Sequence, residues 1–278
     1  VSKPGKENHT FATQGAQILT LILSNYISLV EKTKSDTTIQ FAGCVGIMLA
    51  FFSHPSLVVL SLVAQFWERV FRAKKVVAKH NETLAGIIPQ FLSAFSRRII
   101  GKEVSQIERQ YATFDFESEE DYIDFRSKVN PMLGELLRSC CYAYPTQTIE
   151  YSVESLSRAV TGIQENNPQA EQAMANAVFL ISNTLVTMWP ENNRTVGSNQ
   201  TVMSCVNRTL QLLLSSGKNS TFYLNKQLEG LRAVVPFFVI DSAHLKQTLD
   251  LAIAGCSFIP PTETIMLLSN ETVDVRRK

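Results

Sequence analysis

Four histidines, five cysteines and one Ser-Gly-Lys-Asn stretch are the residues of this 278-residue chain that catalysis or ligand binding would have to use. A zinc protease motif, H-E-x-x-H, sets two imidazoles on one helical face with a glutamate as base. His9, His54, His80 and His244 stand isolated instead, and each reads as a cap, turn or surface residue rather than a metal ligand. Cys44, Cys140, Cys141, Cys205 and Cys256 show no C-x-x-C spacing. Lying in apolar helical runs, they read as small buried hydrophobes. The adjacent Cys140 and Cys141 lack a partnered histidine that would generate a thiolate. Ser216-Gly217-Lys218-Asn219 resembles the end of a phosphate loop. Leu212 occupies the place of its first glycine, and Asn219 replaces the hydroxyl that holds magnesium. Gly43 and Gly46 fall in a helical pattern and form no dinucleotide fingerprint. The expectation is a non-enzyme with no cofactor and no metal.

Charge is more informative. The net charge is +1, which excludes a globally basic nucleic-acid binder. Between residues 68 and 102, eight cations face two acids, a balance of +6: Arg69, Arg72, Lys74, Lys75, Lys79, Arg97, Arg98 and Lys102 against Glu68 and Glu82. Residues 103–124 carry eight acids against Arg109, a balance of −7. A basic cluster at a helix end can hold phosphates, which makes Lys74, Lys75, Arg97, Arg98 and Lys102 candidate partner-binding residues. An acidic loop can steer a basic protein surface, and Glu119, Glu120 and Asp121 are the candidates there. Seven Asn-x-Ser/Thr sequons, beginning at Asn8, Asn81, Asn193, Asn199, Asn207, Asn219 and Asn270, read as helix caps or polar-face residues, since no signal-peptide pattern precedes them.

These residues must be positioned by helices. The chain is 45% hydrophobic with only 12 Gly and 10 Pro, and apolar residues recur at helical spacing almost throughout. Residues 54–75 are the clearest case. Ser61, Gln65, Glu68, Arg69 and Arg72 form one polar stripe, with Val59, Leu62, Val63, Phe66, Trp67, Val70 and Phe71 filling the other faces. Start signals are frequent: Thr10, Asp36, Ser53-His54-Pro55 with proline in the first turn, Asn81, Ser118 with Asp121 as a capping box, Pro145, Pro168, Ser198, Asn219 and Asp241. Grouped in order, they predict helix pairs near 11–52, 54–100, 118–164, 169–216 and 219–258. A period of 40 to 50 residues with two helices per unit is the signature of HEAT repeats. The fold class predicted is all-α, a HEAT/armadillo-type α-solenoid of about five stacked pairs, with a compact helical bundle as the alternative. Residues 41–67 are apolar enough to suggest a membrane span, but Ser53-His54-Pro55-Ser56 divides them into two core helices, so no membrane insertion is expected. Val1 follows no start methionine and Val273–Lys278 reads as a helix cut off early. Residues 1–278 are therefore expected to be one segment of a larger array, with apolar faces bared at its ends.

Three stretches then suggest a family. His54-Pro-Ser-Leu57 leads to Trp67-Glu-Arg-Val-Phe71-Arg72; Ile87-Ile88-Pro89-Gln90-Phe91-Leu92 follows; Tyr111-Ala-Thr-Phe114-Asp115-Phe116 leads through Ser118 and Asp121 to Phe125 and Gly134-Glu135-Leu-Leu-Arg138. In this order and spacing they resemble the exportin-5 type of nuclear export receptor in the karyopherin superfamily, and Asp274-Val-Arg-Arg-Lys278 is similar to a later helix start in it. Between about 151 and 270 only the helical pattern continues. The resemblance implies a receptor shuttling between nucleus and cytoplasm, with GTP-bound Ran, RNA or protein cargo and nucleoporins as partners. It also implies that Glu82–Ile100 is an inner helix whose end, Arg97, Arg98 and Lys102, touches RNA phosphate or Ran. A general HEAT or armadillo scaffold outside nuclear transport is the alternative.

Overall fold

Side-chain spacing that hides apolar groups on two or three sides of a helix demands neighbours on those sides, and the fold supplies them in two layers. A computed structural model describes residues 5–32, 40–99, 101, 104–189, 200–215 and 221–239, with 246, 249 and 250. Its helices are α1 (Lys6–Lys32), α2 (Phe41–Phe52), α3 (Leu57–Arg72), α4 (Lys74–Lys79), α5 (Asn81–Ser96) and α6 (Gln106–Asp115). They continue with α7 (Glu119–Ala143), α8 (Pro145–Gln164), α9 (Ala170–Met188), α10 (Gln200–Ser215) and α11 (Thr221–Val234), and a 3₁₀ turn over Val235–Val239 follows. Among the described residues there is no strand. One layer runs α1, α3, α7, α9, α11, each helix packed on the next, and the other runs α2, α5, α8, α10. The fold is an all-α solenoid.

Two cores lie between the layers. The first fills the space from α1 to α7 with Phe52, Phe66, Trp67, Phe71, Phe91 and Phe95; the second, from α7 to α11, is chiefly Val, Ile, Leu, Ala and Met. Cys140 belongs to the first and its neighbour Cys141 to the second, so α7 is the partition. The α3 stripe behaves as its spacing predicts: Val59, Val63, Phe66, Trp67, Val70 and Phe71 are buried, while Gln65, Arg69 and Arg72 face solvent.

One contact between layers follows from the covalent chemistry of proline. Pro89, inside α5, has no N–H to give to the carbonyl four residues back, Ala85. Gln147 of α8 donates its Nε2 to that carbonyl at 3.2 Å, so the gap in one helix becomes a docking point for the next. The C-terminal end of α5 is met in the same way, by Asn176 Nδ2 of α9 on Ser96 O at 3.1 Å.

Several boundaries differ from the sequence reading. Helix α1 begins at Lys6, so Thr10 is inside it and bonds back to Lys6 O rather than capping. Ser56 caps α3, accepting from Val59 N at 3.1 Å, which leaves Pro55 outside the helix. The Lys74–Lys79 stretch is a separate short helix, and α5 ends at Ser96 rather than near Ile100. Ser118 does cap α7, accepting from Asp121 N. The starts at Asp36, Ser198, Asn219 and Asp241 fall outside the described residues, as do Lys102, His244 and Cys256.

The largest difference is α6. Residues 103–124 read as an acidic loop, yet 106–115 form a helix, with Ser105 capping Glu108 N at 3.1 Å. None of its residues is fully buried. Its apolar positions therefore lack the core stripe by which helices are recognised in sequence.

Candidate partner-binding surface

The basic block does not stay together. The sixteen residues of α3 span roughly 24 Å at 1.5 Å per residue, and the cations collect at its two ends. At the C-terminal end lie Arg69, Arg72, Lys74 and Lys75. Arg72 pairs with Glu68 at 2.8 Å and donates its Nε to Ser139 of α7 at 3.1 Å. Lys75 is held to α1, its backbone N–H on Glu31 Oε1 at 2.8 Å and its ammonium on Glu31 O. Lys74 is exposed.

At the other end, beyond α5, Arg97 is exposed and Arg98 is half-buried. Arg98 Nη2 donates to Pro55 O at 3.2 Å, tying the end of α5 to the start of α3. Burial pulls its guanidinium below the ordinary range, opposed by the charge of Glu108. Arg98 is thus a structural cation with one face toward a groove. That groove, about 880 Å³, runs between the end of α5, the start of α6 and the faces of α9 and α11. Three cations line it, Arg97, Arg98 and Lys226, against three acids, Glu108, Glu171 and Glu229. Among the described lining residues the balance is zero, so they do not form the basic track that a nucleic-acid backbone would follow.

The acidic block divides similarly. Asp121 is committed to the Ser118 cap, its carboxylate accepting from Ser118 Oγ at 2.6 Å. Glu119 and Glu120 are exposed in the first turn of α7, where the helix dipole favours negative charge. Glu108 faces inward, accepting from Arg126 Nε at 3.0 Å and from Tyr122 OH at 2.7 Å. Burial and this bond push the Tyr122 phenol up to about 12.

Sequence reasoning missed one cluster entirely. Asp115, at the end of α6, accepts from Ser56 Oγ at 2.7 Å and lies 2.7 Å from His9 Nε2 of α1. His9 and Asp115 are 6% and 4% exposed, so His9 is a buried helix residue and not the surface or turn residue expected. His54 accepts from Ser56 N at 3.2 Å, stacks near His9 and meets the Tyr111 ring edge-on. Burial, then the nearby His9 and Arg98, lower its pKa from the ordinary value. Serine, histidine and aspartate together suggest a nucleophile, but the order is wrong. The aspartate sits in the middle, and the serine hydroxyl donates to it while accepting from Val59 N. The His54 ring accepts from the Ser56 backbone N–H and not from its hydroxyl, and Ser56 is fully buried. The cluster is a staple joining α1, α3 and α6. Its members are 106 and 59 residues apart, beyond any local sequence signal.

Among the described residues no group of His, Cys, Asp or Glu is placed to hold a metal ion, and no helix is long and apolar enough to cross a membrane. Cys140 and Cys141 are buried, while Cys44 and Cys205 are half-exposed. Burial pushes the Cys140 thiol up to about 12.

A layered array of helices, its described polar clusters occupied in joining them, defines an all-α repeat architecture. The sequence model of the Exportin-5 family matches residues 7–278, and the chain belongs to that family. It is 22% identical to mouse Exportin-5 over 265 residues, covering 87% of this chain and 22% of the relative. With human Exportin-5 it is 23% identical over 298 aligned residues, 98% of this chain and 24% of the relative. The chain thus spans about a quarter of the length of these relatives.

Proposed function

We propose that the chain is one array segment of a nuclear export receptor, and that the whole protein binds GTP-bound Ran together with cargo and shuttles between nucleus and cytoplasm. The observation that carries this reading is the family match along 7–278. The architecture supports it, because a two-layer array offers long surfaces for partners and spends its buried polar groups on its own helices. The cargo is structured RNA, such as a hairpin precursor, or protein, and nucleoporins are transit partners. Of the candidate residues, Arg97 and Lys74 are exposed cations that can meet phosphate or an acidic protein surface, and Glu119 and Glu120 exposed acids that can meet a basic one. Arg98 and Lys75 support their neighbours through the bonds to Pro55 and Glu31.

The test is capture of the full-length protein on immobilised Ran, loaded with GTP or GDP, with and without a short-overhang hairpin RNA. Retention on the GTP form alone, strengthened by RNA, is the expected result. Linkage requires Ran to strengthen RNA binding by the same factor, typically about 5 to 150-fold. Equal retention on both forms would overturn the reading. Arg97→Glu should weaken the RNA arm or the Ran arm; unchanged binding of both would remove Arg97 from the contact set.

A further inference from the structure

Among the described helices α6 alone has no fully buried side chain. The face it turns to the body is Glu108, Tyr111, Ala112 and Asp115, which share one side of the helix by their spacing. Two carboxylates, a phenol ring and a methyl group thus stand where α3 presents Val63, Phe66, Trp67 and Val70. Glu108 accepts from Tyr122 and Arg126 of α7 at one end, and Asp115 is bonded to Ser56 and His9 at the other. Between them the Tyr111 ring lies 5.2 Å from His9 and 4.8 Å from His54, and Phe114 lies 5.7 Å from His9. Of its ten residues, Ala112 packs against the aromatic core.

Attachment of this kind competes poorly with water. Each polar bond replaces one that solvent would make, so its net gain is small, and the apolar burial that holds the other helices is largely missing. Isolated helices shorter than roughly 12–15 residues are marginal even in favourable sequences, so α6 is helical while docked and unravels when it lifts. The chain beyond it is fixed separately. Phe116 sets its ring 5.7 Å from Tyr122 and 5.2 Å from Phe125, so α7 and its cap stay in place. Beneath α6 lie cations. Glu108 is paired with Arg126 and lines the groove together with Arg97 and Arg98. Once Glu108 leaves, the described lining keeps three cations, Arg97, Arg98 and Lys226, against two acids, Glu171 and Glu229.

We propose that α6 is a detachable strap occupying the docking place of an acidic segment of a partner protein. The strap lifts as a unit while both helix layers stay folded, and the partner's carboxylates take its place on Arg126 and beside Arg98. Two observations select that partner. The site that α6 leaves gains positive charge, which favours an acidic occupant. The strap itself displays the pattern that fits: carboxylates seven residues apart on one helical face with an aromatic ring between them. A nucleic-acid backbone fits less well, because Glu171 and Glu229 interrupt the cations that remain. The inference rests on the packing of α6 and stands apart from the transport reading.

The experiment uses the full-length protein and two readouts. In amide exchange followed by mass spectrometry, α6 should open as one unit, at least about hundredfold faster than α3 or the second half of α7. Glu108→Gln combined with Asp115→Asn keeps shape and removes charge; it should speed α6 by a further factor of about ten and leave α3 and α7 within about twofold. Exchange of α6 as slow as that of α3, or all three helices accelerating together, would overturn the proposal. The second readout is fluorescence anisotropy of a labelled peptide with the sequence of residues 105–117. It should bind the double variant at least about tenfold more tightly than the unaltered protein, whose site is already occupied. Replacing the peptide's own two carboxylates by amides should abolish that binding. Equal binding to both proteins, or binding to neither, would overturn the proposal, and displacement of the peptide by a hairpin RNA would overturn it in favour of nucleic acid. Where the double variant does not fold, Glu108→Gln alone serves both readouts, since it leaves the Asp115 staple intact.

Discussion

The two cores are built from different material and hold their helices differently. Between α1 and α7, six large aromatic side chains are in mutual contact: Trp67 lies 4.9 Å from Phe91 and 5.6 Å from Phe71, and Phe91 lies 5.3 Å from Phe52. Around them sit polar staples, Asp115 with His9 and Ser56 on one side and Tyr26 with His80 at 2.8 Å on another. Between α8 and α11 the core is aliphatic, and its buried hydroxyls mostly serve their own helix, as Ser152 and Thr148 do by donating to the carbonyl four residues back. Interlocked rings tolerate few exchanges, whereas aliphatic side chains of similar volume replace one another at small cost. The stretches from which the resemblance was read lie in 54–138, where rings and staples dictate residue types, while the family match runs along 7–278.

The contrast can be broken in order of expected effect. Trp67→Ala should cost about 3–5 kcal/mol, the range for a large aromatic removed from a core, read as a drop in the denaturant midpoint. A loss under about 1 kcal/mol would refute the interlocked-ring account. Asp115→Ala strands two buried partners, His9 and Ser56, and should cost about 2–3 kcal/mol. Faster amide exchange confined to α6 and the start of α1 is its signature. Gln147→Leu leaves Ala85 O unpaired and should cost about 1–2 kcal/mol, with exchange rising near Ala85 and Pro89. By contrast Leu156→Met, in the aliphatic core, should stay within about 1.5 kcal/mol.

The smallest effect is on pH dependence, and it belongs to the first region. His54 has a folded-state pKa below its unfolded value of 6.5. The unfolded chain therefore binds more protons, and stability rises with pH. The contribution of His54 is complete above pH 6.5 and is lost as pH falls from 6.5 toward the folded value. His80, lowered by burial and then by Lys79, adds in the same direction. Thermal melts between pH 7.5 and 5.5 should show this slope, and His54→Asn, whose amide oxygen can accept from Ser56 N, should flatten it. An unchanged slope would assign the titration elsewhere.

Much of this protein was legible without coordinates. The stripe on α3, the Ser118 cap and the all-helical class come from spacing within one helix, which depends only on 3.6 residues per turn. The divided fate of the basic and acidic blocks was not legible. Contiguity in sequence suggested one patch of charge, but Arg97 and Lys74 stand at opposite ends of a helix pair, and Glu108 and Asp115 turn inward. Helix α6 escaped notice because polar groups and a few aromatic contacts, rather than a continuous buried stripe, hold it in place.

Sequence alone determined that the chain forms amphipathic helices, because burial of apolar surface is encoded at short range. Tertiary structure decided which residues meet. His9 reaches Asp115 across 106 residues, Gln147 fills the vacancy left by Pro89, and Glu31 takes up Lys75. Such pairings depend on how helices stack, a geometry fixed only when side chains from separate turns of the chain must share the same space.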